Sequence, residues 1–537
     1  MVVIGGWLHR WTNEDAYINL RVVEQIVAGH GPVFNQGQRV EAFTSPLWLA
    51  VLVVIRVTVG QVAIEWAMVA VSLAMAAGGF WLAARVTRRL HPDGSVVVPV
   101  GLGAVAAAPV LWDFATSGLE MPLVWLWLAG SWAVLVSAAQ RDDTAHGWPR
   151  VGAVVVLGLG PLIRPDLGLM SLCLVGAWLW ITRPARLAAL ADVAIAFAAA
   201  FAYQVFRMGY YASLVPTSAL AKDAGGLHVA QGWRYALDLS RPYALWIPLV
   251  LVVALIARTM ARHGRDVRVA TGGMVAAALV HAAYLVVVGG DYMHGRLLLP
   301  ALFAVVLAAS ASFAPRMALG EAVLAGAVVA VTVGWAVRCA GWARYENTPT
   351  FVLPPIASWR EIAPRPLVQP RENQTAFWSG SDIADAYSQG QRGTVQLLGD
   401  RVLPAGDPHK LVVVLASIGL AGYDSGIDVR VVDIQGLGEP LVARAEAIPG
   451  RPAGHRKQVN LEWYTAQFGV PAPNQSDAKV AAARRALRCP PLSDLLAAID
   501  EPLTPGRFMS NLVHSPGYTR LHIPADPRTA MGQFCGP

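Results

Sequence analysis

Residues 64–86, IEWAMVAVSLAMAAGGFWLAARV, decide the fold. A bilayer core of about 30 Å needs about 20 apolar residues in a helix, and this run is long enough. Its charges stand at the ends, with Glu65 at the start, Arg85 near the finish, and Arg88 and Arg89 just beyond. Basic residues collect on the cytoplasmic side of a span, so this end reads as cytoplasmic. Working outward, apolar runs follow near 96–112, 119–139, 151–162, 167–181, 190–206, 244–256, 271–288, 297–313 and 320–335. Threaded alternately, they put every strongly basic loop on one side. Those loops carry Arg141 and Arg150, Arg183 and Arg186, Arg258, Arg262, Arg265 and Arg268, and Arg316. A long polar loop, 207–243, falls on the other side. The run at 46–59 is short, holds Arg56, and reads as a helix lying on the outer leaflet. The pattern predicts about eleven spans if a first helix, of which only Met1–Leu8 is apolar here, is counted.

Composition agrees. The 537 residues are 55% hydrophobic and only 14% charged, with a mean hydropathy of +0.47. Soluble domains carry roughly 25% charged residues. The chain is therefore an α-helical polytopic membrane protein. The net charge of +7 resides in short loops between apolar runs, so it reads as a topology signal rather than a nucleic-acid surface. Four cysteines show no metal-ligand spacing. Walker, dinucleotide-binding and HExxH motifs are absent from the sequence.

The character changes near Arg338. Residues 339–537 are richer in proline and charge, and are predicted to form an outer mixed α/β cap after a membrane domain over 1–338. Within the cap, 410–416 and 427–434 read as strands, and 479–487 and 492–499 as helices. Cys339, Cys489 and Cys535 would lie on the oxidising side; one disulfide is expected, and spacing does not choose the pair.

Polar groups gather on the cap side. The first outer loop, 10–45, opens with Trp11-Thr12-Asn13-Glu14-Asp15, where Thr12 or Asn13 can cap a helix running to Val27. Adjacent carboxylates beside hydrocarbon are costly and usually functional, so Asp15 and Glu14 are candidate bases for a hydroxyl. Thr116-Ser117-Gly118-Leu119-Glu120 places Glu120 at a helix start. In Ile163-Arg164-Pro165-Asp166, proline breaks a helix and Arg164 is a candidate phosphate ligand or a partner for Asp166. Lys222 is the first lysine of an arginine-rich chain and a second phosphate candidate. Gly289-Gly290-Asp291-Tyr292-Met293-His294-Gly295-Arg296 combines a tight turn with a carboxylate, an imidazole and a guanidinium, so Asp291, His294 and Arg296 join the list.

These motifs, with Gly31-Pro32-Val33-Phe34-Asn35-Gln36-Gly37, Arg39-Val40-Glu41-Ala42 and Val431-Val432-Asp433-Ile434-Gln435-Gly436-Leu437-Gly438, resemble the GT-C membrane glycosyltransferases that use polyprenyl-phosphate sugars. More narrowly they resemble the terminal β-(1→2)-arabinofuranosyltransferases of mycobacterial arabinogalactan and lipoarabinomannan synthesis. The likeness runs through nearly the whole chain. The resemblance implies a GT-C fold in the plasma membrane, with active site and cap on the outer, periplasmic face. It implies transfer of D-arabinofuranose from decaprenylphosphoryl-arabinofuranose to a non-reducing arabinan end. Where the family has paired aspartates, this chain has Glu14-Asp15, so the base role is carried to Asp15 first and Glu14 second. Arg164, Lys222, His294, Arg296 and Glu120 are assigned to the donor phosphate and sugar, and Asp291 joins the catalytic group. If donor and product are both β-linked, one in-line displacement gives the wrong anomer, and Glu14 or Asp291 could act as a nucleophile. Some GT-C enzymes bind a divalent cation, which Glu14, Asp15 and Asp291 could hold; no spacing argues for it. A transferase for another lipid-linked sugar such as mannose, and a non-catalytic cell-wall scaffold, are the alternatives. A transporter would instead place charges at mid-membrane.

Overall fold

The computed structural model describes the chain apart from residues 62, 92–95, 141–149, 223–225, 292, 308, 310, 314–318, 343–382, 384, 386, 392, 398–400, 405–409, 417, 449–455, 471–476 and 537. The expected start of the second domain at 339 is described, but residues 343–382 after it, and Tyr292 of a quoted motif, lie outside the described residues.

The N-terminal helices are α1 (Val2–Leu8), α2 (Glu14–Val27), α3 (Pro46–Val59) and α4 (Ile64–Arg88). Strand β1 (Val96–Val98) leads to α5 (Val100–Ala106), α6 (Pro109–Phe114), α7 (Met121–Gln140), α8 (Arg150–Gly158) and α9 (Gly160–Ile163). A short turn of 3-10 helix at Pro165–Leu167 leads into α10 (Gly168–Thr182), then α11 (Arg186–Tyr211), α12 (Thr217–Ala221), α13 (Val229–Tyr243), α14 (Trp246–Arg262) and α15 (Arg265–Val288). The helical layer ends with α16 (Leu299–Val306), β2 (Ala311–Phe313) and α17 (Leu319–Trp342).

Among the described residues five helices are long and apolar enough to cross a membrane: α4, α7, Pro165–Thr182, α11 and α15. A sixth crossing is formed if α13 and α14 count as one span bent by 94°. The described residues thus give five or six of the roughly eleven spans expected, and the other apolar runs are divided into shorter elements. The run at 96–112 is cut by Pro99, which precedes α5, and by Pro109, which opens α6. Its first residues instead form β1, antiparallel to β2, with Val97 opposite Ser312. The run at 297–313 is likewise split into a 3-10 turn, α16 and β2. The expected polar loop at 207–243 is largely helical, because α13 buries Tyr235, Leu239 and Tyr243, with Asp238 on the same face satisfied by His294, while Arg234 and Arg241 stay exposed. Gly232 lets α13 meet α15: a Cβ there would lie 1.9 Å from the Val286 carbonyl oxygen. The buried interior is rich in tryptophan, with Trp125 and Trp132 of α7 fully enclosed between α4, α15 and α16.

The C-terminal part is a four-stranded mixed sheet flanked by helices. Its elements are β3 (Thr394–Leu397), β4 (Arg401–Pro404), β5 (Leu411–Leu415), α18 (Leu420–Asp424), β6 (Arg430–Asp433) and α19 (Pro440–Ala443). Helices α20 (Leu461–Phe468), α21 (Ala478–Leu487), α22 (Leu492–Asp500), α23 (Pro505–Thr519) and α24 (Pro527–Cys535) follow. The strand order is β4-β3-β5-β6, with β3, β5 and β6 parallel and β4 antiparallel. Strand β5 is buried at all five positions, as a central strand covered on both faces must be. Both strands and both helices expected here appear within a few residues of their predicted bounds. Cys489 and Cys535 form the disulfide, and Cys339 is a buried free thiol in α17.

Two buried side chains tie this layer to the first outer loop. Arg21 of α2 donates to the carbonyls of Phe34 (2.9 Å), Gly426 (2.8 Å), Val429 (2.7 Å) and Gly422, and to Asn35 Oδ1 (3.2 Å). Asn35 in turn pairs with both main-chain groups of Val431, donating at 2.7 Å and accepting at 3.1 Å. It acts as an added residue on the open edge of β6.

Candidate active site

Helix α2 begins where the sequence places it. Asn13 caps it, its Oδ1 accepting from the Asp15 amide at 2.7 Å, and the Asn13 amide donates to the Ser117 carbonyl at 2.9 Å. The Asn13 side chain reaches Met293 Sδ at 3.9 Å. The three outer motifs therefore meet at the start of α2.

Glu120 stands at the N-terminus of α7 and is buried. Its Oε1 accepts from Arg164 Nη1 at 2.8 Å and from Arg296 Nη2 at 3.1 Å. Arg164 Nε donates to Asp166 Oδ1 at 2.9 Å, and Asp166 Oδ2 meets His281 Nε2 at 2.8 Å. On the other side, Arg296 Nη1 lies 3.7 Å from Asp291 Oδ2, and Lys222 Nζ donates to Asp291 Oδ1 at 3.2 Å. His281, Asp166, Arg164, Glu120, Arg296, Asp291 and Lys222 thus form one continuous ionic chain. Its interior members are paired on both sides, as buried charge requires. Lys222 is its most exposed member: its side chain is 28% exposed, against 0% for Asp291. The turn that carries Asp291 uses left-handed backbone at Gly289 (φ 95°) and Gly290 (φ 70°), which presses Gly290 against the Tyr235 ring.

Asp15 lies within electrostatic reach of Arg296 and of Asp433. Asp433 ends β6, at the carboxyl edge of the parallel strands where α/β sheets commonly receive ligands. Its carboxylate accepts from the amides of Gln435 (2.7 Å), Gly438 (3.2 Å) and Leu437. Burial pushes its carboxyl up to about 6, against those hydrogen bonds, and the Asp15 charge raises it further. Glu14 turns the other way, its carboxylate accepting from the Gly419 amide.

Of the eight residues proposed from sequence, the structure joins Glu120, Arg164, Arg296, Asp291 and Lys222 directly and leaves Asp15 within electrostatic reach of Arg296. Glu14 is engaged by the C-terminal layer. His294 is held by Asp238 (2.7 Å) and the Tyr243 hydroxyl (3.2 Å), so both ring nitrogens are already occupied within the helical layer. Asp433 and His281 were not picked out as site residues. A lone histidine inside an apolar span was the available signal for His281. Among the described residues no group of three or more His, Cys, Asp or Glu side chains is placed to hold a metal ion.

A second buried carboxyl lies behind Asp433. Burial pushes Glu439 up to about 7, opposed by Arg430 and reinforced by Asp500 and Asp433. Between its ordinary value and about 7 the folded protein keeps a proton that the unfolded chain has released. Stability therefore falls as pH rises through that window and levels off above it, by on the order of 3 kcal/mol. Thermal unfolding of the C-terminal part should accordingly drop from pH 5 to pH 8. Glu439→Gln, neutral at every pH, should flatten that slope; an unchanged slope would mean that another group carries it.

A family model described as the AftB family C-terminal domain matches residues 404–533. A terminal β-(1→2)-arabinofuranosyltransferase of Corynebacterium glutamicum is 32% identical to the chain, covering 98% of it and 85% of the relative. A protein of the same name from Mycobacterium tuberculosis is 31% identical, covering 99% of the chain and 95% of the relative. No solved structure matches.

Proposed function

We infer the reaction from the premise that this chain belongs to the terminal β-(1→2)-arabinofuranosyltransferase family. It is a membrane glycosyltransferase, and it transfers an arabinofuranosyl group to arabinan. The donor we propose is decaprenylphosphoryl-arabinofuranose, whose tail remains among the helices while its sugar-phosphate head meets the ionic chain. The observation that carries this reading is the buried ionic chain that becomes part-exposed at Lys222, with Asp15 within electrostatic reach of its Arg296. Asp15 takes the proton of the acceptor hydroxyl, whose oxygen bonds to the anomeric carbon. The bond from that carbon to the phosphate oxygen breaks, and the electron pair leaves on decaprenyl phosphate. Lys222, backed by Arg296, neutralises that charge. Glu120, Arg164 and Asp166 hold Arg296 and Asp291 in place. Glu14 serves as a positioning residue through Gly419. Asp291 is the available second carboxylate if the anomeric configuration is retained.

The basic ends support a membrane orientation. His263, after α14, meets the Leu90 carbonyl at 2.6 Å, and Arg183 pairs with Asp266 at 2.8 Å, so those ends lie together, away from Asp15. The positive-inside preference favours the cytoplasm for that end, the outer face for the site, and a role for residues 339–537 as a cap over it.

The test is transfer in nanodiscs from radiolabelled decaprenylphosphoryl-arabinose to a short synthetic arabinan. Expected is a new terminal β-(1→2) linkage. A folded protein that ignores this donor but accepts a mannosyl one would overturn the donor assignment. Lys222→Met should weaken donor binding by about 10- to 100-fold, the loss expected for one charge-assisted hydrogen bond. Binding that is unchanged, and unchanged in its salt dependence, would remove Lys222 from the phosphate.

A further inference from the structure

We propose that α23 is a membrane-surface helix: it rests in the headgroup boundary of the bilayer and holds the C-terminal part at a fixed height. The argument begins with α11. That helix has 26 residues, and only 11% of its most apolar window is buried. Leu187, Leu190 and Phe201 stand 82%, 67% and 71% exposed along it. A helix so apolar and so little covered by protein is covered by lipid. Near its far end lies an aromatic cluster, Tyr203, Phe206, Tyr210 and Tyr211, with the Phe206 and Tyr210 rings stacked at 4.9 Å. Aromatic residues gather at the membrane–water boundary, and here the cluster lies beside the buried Arg207–Glu41 ion pair that closes the apolar run of α11.

Helix α23 packs on α11 at that level. The Phe508 ring fills the notch left by Gly209, where a Cβ would approach it to 2.2 Å. Asn511 Nδ2 donates to the Gly209 carbonyl at 2.9 Å, and Thr519 Oγ1 accepts from the Leu214 amide at 2.8 Å. The side turned away from α11 carries Met509, 59% exposed, and Val513, 70% exposed, four residues apart on one stripe. Leu503, just before the helix, is also exposed. The stripe itself holds no charge; Arg507 is drawn back to Glu501 and the Ala497 carbonyl. Single exposed apolar residues are ordinary on a protein surface. These differ because the helix that carries them packs at Gly209, at the end of the little-covered apolar run of α11 and level with its aromatic cluster. Lipid is therefore the occupant their position favours over water, a second copy or another protein.

The anchor connects to the active-site loop. The Ala498 carbonyl accepts both from Asn511 (3.1 Å) and from Arg39 (2.7 Å), and Arg39 belongs to the loop between α2 and α3. A helix seated in the headgroups would thus set the position of that loop as well. The inference rests on α11 crossing the bilayer, not on the reaction assigned above, so its test reads lipid contact rather than transfer.

The test uses the full chain in nanodiscs. A benzophenone amino acid at Met509 or at Val513 should crosslink to lipid about as well as one at Trp81, an exposed position on the spanning helix α4. It should do so about tenfold better than one at Leu461 of α20. The unmodified protein supplies a second readout. Under hydroxyl-radical footprinting Met509 should oxidise several-fold more slowly than Met531, although it is the more exposed of the two in the protein alone. Crosslinking at the Leu461 level, or oxidation of Met509 in keeping with its exposure, would overturn the proposal. A covalent protein dimer in place of lipid adducts would overturn it too, assigning the stripe to a second copy.

Discussion

Asp15→Asn is expected to lower the transfer rate by about 100- to 10,000-fold, the range for removing a positioned general base, and to leave donor affinity unchanged. The substitution is isosteric. The bond that sets the start of α2 runs from the Asp15 amide to the Asn13 side chain and does not involve the carboxylate. What is lost is the negative charge within electrostatic reach of Arg296 and Asp433 and the proton acceptor it provides. Glu14→Gln should behave differently. Its side chain meets the Gly419 amide, so the expected loss lies in the attachment of the C-terminal part rather than in the chemical step. Single-turnover rates at saturating donor, measured beside donor binding, separate the two. A fully active Asp15→Asn protein would move the proton transfer to Asp291 or Glu14.

The second large effect concerns Glu120. Glu120→Ala leaves Arg164 and Arg296 facing one another in a buried space with no anion between them. Breaking a buried ion pair from one side typically costs about 3–5 kcal/mol, because the partner charge remains desolvated. Here two guanidiniums share the loss, although Asp166 and Asp291 still hold their far sides. Against a typical total stability of about 5–15 kcal/mol, that should appear as a marked fall in thermal midpoint and in folded yield. Glu120→Gln keeps one oxygen acceptor and should fall between wild type and alanine. An alanine variant as stable as wild type would mean that water or bound anion already carries the charge balance at Glu120.

The long spans were legible because continuous apolarity over about 20 residues has few other meanings. Helices α4, α7, α11 and α15 lie close to where their runs predict them. The runs at 96–112 and 297–313 were misleading for a local reason and a distant one. Pro99 and Pro109 cut the first of them, and β1 finds its partner β2 more than two hundred residues later, which no window can register. Helix α13 was hidden by Arg234, Asp238 and Arg241, whose charge outweighed the spacing of its buried tyrosines.

The site was legible as parts. Each motif was found, but the contacts that join them span 44 residues from Glu120 to Arg164 and 176 from Glu120 to Arg296. Composition alone could not distinguish His294, taken by Asp238 and Tyr243, from its neighbour Arg296, which joins the ionic chain. Asp433 stood in a quoted motif, yet its nearness to Asp15 exists only once the sheet is set against α2.

The side chain of Asn35, seated against Val431, bears on how this molecule can be divided. Strand β6 is an edge of its sheet, and its open main-chain groups are answered from outside the C-terminal sequence, by Asn35 at Val431 and by Arg21 at Val429 and the turn before it. A fragment beginning after α17 would carry the strands and the disulfide but neither of those side chains. Its bare edge would seek the edge of another molecule, and such a fragment should gather into β-paired aggregates unless a charge or a proline is placed on β6. Solubility of the outer part is, in this sense, a property lent to it by the membrane part.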